Sequence, residues 1–267
     1  MKTRVISAIV LFAIVFSCFF ISPVTRAIFL AAVSIIAVWE MCRAVKIKDI
    51  NCIAWIIYFY ALATATAIYF NANNVVCQLL FFAAAFACIT AGIVRKEVSG
   101  MGALVSLAII VYPVVPIMFI LRLSLMENNM WIPVFALSCI STWVCDSFAL
   151  FGGKWFGKHK LAPLVSPNKT VEGTLTGALS SVITGVILYF ILKAPYDIPV
   201  LVCIITALIS SSLGQIGDLA ASLIKRMVGL KDYSNLIPGH GGAMDRIDSL
   251  LFSIPTAYFC LYFAGII

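Results

Sequence analysis

The segment Val75–Val94, VVCQLLFFAAAFACITAGIV, contains no charged side chain. A helix needs about 20 predominantly apolar residues to cross the hydrocarbon core of a bilayer, and this segment has that length. The whole chain shares its character, since hydrophobic residues make up 63% and charged residues only 11% of the 267. We therefore predict an all-α polytopic membrane protein that forms a single transmembrane domain.

The same criterion predicts about nine transmembrane helices along the chain. They are Val5–Ile21, Val24–Met41, Cys52–Phe70, Val75–Val94, Met101–Leu121, Trp131–Phe151, Thr174–Leu192, Ile198–Gly217 and Ser249–Ile267. No convincing small-residue cleavage site follows the first, so we expect a retained helix and not a signal peptide. Within the domain we separate N-terminal spans, residues 1–130, from catalytic spans and loops, residues 131–267.

The basic residues are distributed unevenly between the two faces that nine spans would create. Fifteen of the 18 fall on the side of the amino terminus, and only Arg26, Arg122 and Lys193 fall opposite. The positive-inside rule places that richer side in the cytoplasm and the carboxyl terminus outside. A basic excess beside membrane spans also explains the net charge of +7 without nucleic-acid binding.

Nine cysteines are scattered along the chain without a CxxC pair or a cysteine–histidine cluster. This spacing argues against a zinc site or a disulfide framework. We expect most of these cysteines to be small apolar packing residues.

Most of the polar chemistry lies in Ser222–Asp248, SLIKRMVGLKDYSNLIPGHGGAMDRID. The segment carries four basic residues and three carboxylates: Lys225, Arg226, Lys231, Arg246, Asp232, Asp245 and Asp248. If the preceding span continues as a helix, Asp218, Ser222 and Lys225 share one face. Asp245 and Asp248 would share another if the ninth helix begins there. Carboxylates of this kind suit Mg²⁺, which takes oxygen ligands and often keeps only one or two from protein.

The glycines around His240 predict a backbone that approaches a ligand closely or takes left-handed geometry. We expect His240 to contact a ligand or to order the loop. The alternative for Asp245 and Asp248 is that they cap the last helix and pair with Arg246. Capping and pairing would explain one of these acids more readily than all the acids of the segment.

A second polar region, Asp146–Gly173, begins with an acid inside an apolar stretch. Such an acid indicates a functional site, although it would also suit a cap or a pair with a nearby lysine. Ser166–Thr170 is predicted as a turn that leads into a helix with Thr170 as its N-cap. Lys169 beside that helix start would suit a phosphate, with an ordinary capped loop as the alternative. His159 is expected to be solvated.

These residues resemble the phosphatidate cytidylyltransferases, also called CDP-diacylglycerol synthases. That family has the signature S-x-φ-K-R-x4-K-D-x-S-x2-φ-P-x-H-G-G-x2-D-R-φ-D, where φ is aliphatic, and Ser222–Asp248 matches it without a gap. Ala243 stands where a larger aliphatic residue is common. The upstream D-x2-A-x3-G-x3-G-K-H-K-L and S-P-x-K-T-x-E-G elements fall on Asp146–Leu161 and Ser166–Gly173. The motifs cover about the second half of the chain.

The resemblance implies that phosphatidate and CTP give CDP-diacylglycerol and pyrophosphate, with Mg²⁺ and room for a second cation. The catalytic residues are Asp218, Asp245, Lys225 and Arg226. Asp218 and Asp245 are also the leading metal ligands, with Asp248 third. The residues that bind phosphate or substrate are Lys225, Arg226, Lys231, Arg246, Ser166, Lys169, Ser222, His240 and Asp146. The family also suggests a homodimer in a bacterial inner membrane, with its active site facing the cytoplasm.

Two other functions are compatible with parts of the sequence. CTP-dependent polyprenol or phytol kinases also combine many spans with a cytidine nucleotide, but the complete signature favours cytidylyl transfer. A transporter would use Asp146, Asp218 and the serines of the eighth span to line an ion path. The two halves of the chain show no clear repeat of the kind that many transporters have.

Overall fold

The computed structural model describes residues 2–95 and 97–267, with side chains from residue 6 onward. Lys96, which we assign to the cytoplasmic charges, lies outside the described residues, as do the side chains of Lys2 and Arg4. The chain forms twelve α-helices and two short strands over this range. The N-terminal helices are α1 Lys2–Ile21, α2 Pro23–Lys46, α3 Ala54–Tyr69, α4 Asn74–Val94, α5 Gly100–Ile109 and α6 Val115–Ser124.

The remaining elements are α7 Trp131–Phe135, α8 Ser141–Phe156, β1 Lys160–Ala162, β2 Ser166–Thr170, α9 Val171–Tyr196, α10 Val200–Met227, α11 Met244–Ile247 and α12 Leu250–Phe263. A π-helical stretch, Ile110–Val114, joins α5 to α6, and another, Ala136–Ile140, joins α7 to α8. A short 3₁₀ turn, Glu127–Asn129, precedes α7.

Six helical segments in the described part of the chain are long and apolar enough to cross a membrane. They are Pro23–Lys46, Asn74–Val94, Gly100–Ser124, Glu127–Phe156, Val171–Tyr196 and Val200–Met227. Two shorter apolar helices are Ile6–Ile21 and Ala54–Tyr69. The fold is therefore that of an all-α polytopic membrane protein. Each of the nine predicted spans overlaps helix, but the number of membrane crossings stays a prediction.

The chain divides into two compact units. The first unit consists of residues 1–125 with 227–246, and the second of residues 126–226 with 247–267. Most of the signature segment therefore belongs with the N-terminal helices, although the helix that leads into it belongs to the second unit.

In the first unit, α2 packs against α3 and α6, and α3 packs against α4. The start of α2 is fixed locally, because the Ser22 side chain accepts from the Thr25 amide and Pro23 occupies the first turn. Ile57 and Leu121 are fully buried. These apolar contacts hold the helix that carries Glu40, a residue of the site described below.

In the second unit, α8 and α9 approach closely because glycines line their contact. A Cβ added at Gly173 would lie 2.5 Å from the Ala149 carbonyl oxygen, and one at Gly177 would lie 2.7 Å from the Cys145 carbonyl oxygen. Gly152 would likewise clash with the Thr176 side chain. Glycine at these positions therefore permits the close packing of α8 against α9.

The loop between α8 and α9 is a β-hairpin, so the prediction of a turn at Ser166–Thr170 is wrong. The turn lies earlier, where the Val165 amide donates to the Ala162 carbonyl over 3.2 Å. Residues from Ser166 onward are therefore free to pair antiparallel with β1, placing Thr170 opposite Lys160. Thr170 is nevertheless the N-cap of α9, as predicted, since its hydroxyl accepts from the Gly173 amide over 3.1 Å.

Candidate active site

The second unit brings Lys169 and Asp218 into an ion pair. Lys169 is on β2 and Asp218 is on α10. The Lys169 Nζ lies 2.7 Å from the Asp218 Oδ2. Asp146, on α8, lies within electrostatic range of both. The hairpin and two helices thus converge on two carboxylates and one lysine, which we name the Lys169 cluster. The sequence had assigned all three residues to the site, but not to one another.

Backbone contacts hold Lys169 in this place. The next residue, Thr170, caps α9, so the position of β2 is fixed relative to the start of that helix. The Lys169 Nζ also lies 3.4 Å from the Gln215 carbonyl oxygen on α10. Ser166, the other residue assigned to this loop, is the first residue of β2 and is only partly exposed.

The C-terminal end of α10 carries the polar face that the helical spacing predicts. The Ser222 hydroxyl lies 3.5 Å from the Asp218 Oδ1, one turn away. Lys225 follows on the same face and is buried, with 7% of its surface exposed. Arg226 is exposed and its Nε donates to the Val165 carbonyl over 3.3 Å, so it also supports the hairpin.

The Lys169 cluster has the donor chemistry of a site for a hard cation. Asp146 and Asp218 supply carboxylate oxygens, and Mg²⁺ usually takes one or two carboxylates together with substrate phosphates. Over residues 2–95 and 97–267, no group of three or more histidine, cysteine or acidic side chains could hold a metal. A site that uses two carboxylates and substrate oxygens fits these residues, whereas a metal cage made entirely by protein does not.

Contacts between Glu172 and residues 158–159 hold the open end of the hairpin against α9. Glu172, in the first turn of α9, accepts from the amides of Lys158 and His159 over 3.1 and 3.2 Å. Its Oε1 lies 2.6 Å from the His159 Nδ1. His159 is exposed, as expected for a solvated histidine, but it also contacts this acid. Its role is therefore to hold the hairpin to α9.

In the first unit, Asp245 organises the segment Tyr233–Asp245, which we name the glycine loop. Its Oδ2 accepts from the Tyr233 amide over 2.9 Å and from the Gly242 amide over 3.0 Å. The residue is buried, with 8% exposed. Both donors belong to the loop and neither to the last helix, so these bonds order the loop and do not cap that helix. The assignment of Asp245 to a metal stays a prediction.

Glycine serves two different purposes in this loop. Gly239 and Gly241 have φ values of 78° and 83°, in the left-handed region that favours glycine. Gly242 does not share that geometry; a Cβ there would lie 2.8 Å from the Glu40 Cδ and 2.9 Å from its Oε2. The left-handed prediction is confirmed for two positions, and at Gly242 a close approach explains the glycine.

Glu40 is the site residue that the sequence reasoning missed. It lies on α2, is fully buried, and accepts from three groups of the glycine loop. The donors are the Ser234 hydroxyl at 2.5 Å, the Ala243 amide at 2.9 Å and the Met244 amide at 2.7 Å. An acid within the predicted span Val24–Met41 was the signal that could have identified it.

His240 contacts α1, which makes it a loop-ordering residue. Its Nδ1 lies 2.9 Å from the Ser7 hydroxyl, which also donates to the Pro238 carbonyl over 3.0 Å. Contact of His240 with a ligand stays a prediction. Lys231 and Arg246 are exposed, as phosphate-binding residues require.

Asp248 does not share a helix with Asp245. Helix α11 ends at Ile247, and α12 begins at Leu250, so the chain breaks between them. The Asp248 Oδ1 accepts from the Ser249 amide over 2.8 Å, and this local bond competes with helix formation. The expectation of a shared helical face is therefore wrong. In the second unit, a Cβ at Gly217 would lie 2.7 Å from the Asp248 carbonyl oxygen, so Asp248 packs beside α10.

Comparison with known proteins gives one family. The model of the cytidylyltransferase family matches residues 2–264. The phosphatidate cytidylyltransferase of Bacillus subtilis (strain 168) is 42% identical over 124 residues, which cover 46% of this chain and 45% of that protein. The enzyme of the same name from Staphylococcus saprophyticus is 40% identical over 113 residues, covering 42% and 43%. That of Staphylococcus aureus (strain COL) is 41% identical over 114 residues, covering 42% and 43%.

The matched part of the chain spans less than half the length of these curated relatives. The family model, by contrast, extends over both units and includes the Lys169 cluster, the glycine loop and Glu40. This chain belongs to the cytidylyltransferase family.

Proposed function

We propose that this protein transfers the cytidylyl group of CTP to phosphatidate, giving CDP-diacylglycerol and pyrophosphate for phospholipid synthesis. The observation that carries the proposal is the Lys169 cluster, in which a lysine and two carboxylates converge at the end of an apolar helix. Such a cluster suits reactants that are both strongly anionic. The names of the bacterial relatives, all phosphatidate cytidylyltransferases, support the choice of substrates.

The reaction needs neutralisation and positioning more than proton transfer. A phosphate oxygen of phosphatidate forms a bond to the α-phosphorus of CTP, while the bond from that phosphorus to the bridging oxygen breaks and pyrophosphate leaves. The attacking oxygen is already ionised, so no strong general base is required. Lys169, Lys225, Arg226, Lys231 and Arg246 would bind phosphate oxygens and stabilise the charge that develops on the leaving group.

Mg²⁺, when bound, would supply further charge neutralisation and orient the phosphates. Asp218 and Asp245 remain the leading candidate ligands, with Asp248 third, and room for a second cation is kept. Because the described residues contain no group of three such side chains that could hold a metal, substrate oxygens would complete the coordination. Asp146 lies within electrostatic range of Asp218 and adds a carboxylate that the signature segment does not contain. Ser166, Ser222 and His240 are proposed to contact substrate. Two carboxylates beside a lysine are consistent with this chemistry.

The distribution of charge supports a defined orientation. We place nine spans in the bilayer, with the amino terminus in the cytoplasm and the carboxyl terminus outside, because 15 of the 18 basic residues then face the cytoplasm. The relatives are bacterial, which favours the inner membrane. CTP would come from the cytoplasm and phosphatidate from the bilayer, with a homodimer as the proposed assembly.

The products of CTP turnover test the function. Purified protein in detergent with phosphatidate and CTP should release pyrophosphate and form a cytidine-containing lipid, and both should require Mg²⁺. A phosphatidate analogue without the phosphate serves as the control and should give neither product. Release of CDP would instead indicate a CTP-dependent kinase, and the absence of any turnover would contradict both enzymes.

A further inference from the structure

Glu40 contacts the glycine loop at three consecutive backbone amides that each need a hydrogen-bond acceptor. The amides of residues 242, 243 and 244 donate to only two side chains, Asp245 and Glu40. Asp245 takes the Gly242 amide, and Glu40 takes those of Ala243 and Met244. Both carboxylates are buried. A helix on the N-terminal side of the chain therefore completes the hydrogen bonding of the loop.

We propose that Glu40 is a positioning residue, which holds the backbone at 242–244 and thereby sets the placement of Asp245 for the reaction. The inference rests on the proposed function, because it concerns the use of Asp245 in phosphate chemistry. Glu40 itself acts through the loop. Its partners lie about 200 residues later in the chain, so the contact links the signature segment to a region without recognisable motifs.

The geometry makes Glu40 difficult to replace. Its Oε1 accepts from the Ser234 hydroxyl and the Ala243 amide, and its Oε2 accepts from the Met244 amide. Glutamine would retain Oε1 but turn an N–H towards the Met244 amide, so that two donors would face each other. Alanine would leave all three donors without this partner in a buried place.

The close approach at Gly242 shows that the position of Glu40 relative to the loop is tightly defined. A Cβ there would lie 2.8 Å from the Glu40 Cδ, closer than real Cβ atoms come to their neighbours. The carboxylate thus lies against the backbone of the residue whose amide Asp245 also accepts. A shift of the Glu40 carboxylate would move the same peptide that fixes Asp245.

Two variants and a matched control test this role in the full-length protein. Glu40→Gln changes one acceptor, and Glu40→Ala removes all of them. Ser34→Ala is the control, since Ser34 is also fully buried on α2 and its hydroxyl has no hydrogen-bond partner. Hydrogen exchange measured by mass spectrometry on peptides covering residues 240–246 reports the loop without reference to activity. The Mg²⁺ concentration that gives half-maximal turnover reports the site.

We expect Glu40→Gln to speed exchange of the loop amides and to raise the half-maximal Mg²⁺ concentration, each by roughly tenfold, the effect of losing one hydrogen bond to a charged group. Glu40→Ala should exceed both effects, and Ser34→Ala should match wild type. Unchanged loop exchange in both Glu40 variants would overturn the proposal. The proposal would also be overturned if turnover fell only in proportion to the amount of folded protein and the half-maximal Mg²⁺ concentration did not change.

The two measurements separate this inference from the proposed function. A wild-type protein that makes no lipid product would contradict cytidylyl transfer, and the exchange measurement would still decide whether Glu40 holds the loop. An active wild type with unaltered Glu40 variants would leave the function standing and reject the positioning role. If Glu40→Ala does not fold, Glu40→Gln alone decides, because it keeps the volume of the side chain.

Discussion

Replacing Lys169 with alanine should reduce turnover far more than it reduces stability. Its Nζ lies 2.7 Å from the Asp218 Oδ2, and the two side chains remain 23% and 34% exposed. Because Asp218 can be hydrated once the lysine is removed, the free energy of unfolding should fall by only about 1 kcal/mol. Loss of one group that stabilises charge in a transition state typically costs about 10²–10³ in rate.

The assay compares cytidine-labelled lipid formed per folded molecule with the thermal unfolding midpoint in the same detergent. Lys160→Ala is the matched control, since Lys160 is an exposed lysine on the facing strand of the hairpin. It should retain wild-type turnover. Lys169→Arg should recover part of the lost rate, because it restores the charge with a different geometry.

Two results would refute this reasoning. Turnover of Lys169→Ala within about threefold of wild type at saturating CTP would remove Lys169 from the phosphate-binding set, since one such group is expected to be worth about 10²–10³. A loss of rate fully explained by unfolded protein would show that the ion pair with Asp218 only stabilises the fold.

Further substitutions distinguish the roles of other residues. Asp218→Asn should abolish lipid labelling with little change in the unfolding midpoint, and retained activity would reject Asp218 as a leading ligand. Asp245→Ala should abolish labelling and also lower the free energy of unfolding by about 2–4 kcal/mol, because two buried amides lose their acceptor; an unchanged midpoint would contradict that. Gly177→Val should lower the free energy of unfolding by about 1–3 kcal/mol through overpacking of α8 against α9. Gly100→Ala is the control, because a Cβ at Gly100 would meet open space. Glu172→Gln should lower the unfolding midpoint only slightly and reduce turnover less than Lys169→Ala, since its partner His159 is exposed.

The sequence predicts best what depends on local periodicity. Apolar runs located the helices, and the spacing of Asp218, Ser222 and Lys225 predicted one face of α10, because the 3.6-residue period acts over a few turns. The N-cap role of Thr170 is equally local. The strand β2 before Thr170 was not predicted, because its pairing with β1 depends on where the turn between the two strands closes.

Glu40 shows what local pattern cannot supply. Its three donors follow about 200 residues later, so no spacing rule connects them. A buried acid within an apolar span is a sign of function, but it does not name a partner. The break between α11 and α12 was missed for a different reason. The Asp248 carboxylate accepts from the Ser249 amide, and this local hydrogen bond competes with the helix that the apolar pattern favours.

The central claim is cytidylyl transfer, and it is tested most directly by finding which phosphorus atom of CTP enters the lipid. Purified wild-type protein should be given phosphatidate with CTP labelled at either the α- or the γ-phosphate. We predict that α-label enters the lipid in equal amount to the pyrophosphate released, and that γ-label stays out of the lipid. Entry of γ-label, or no labelled lipid from either CTP, would contradict cytidylyl transfer.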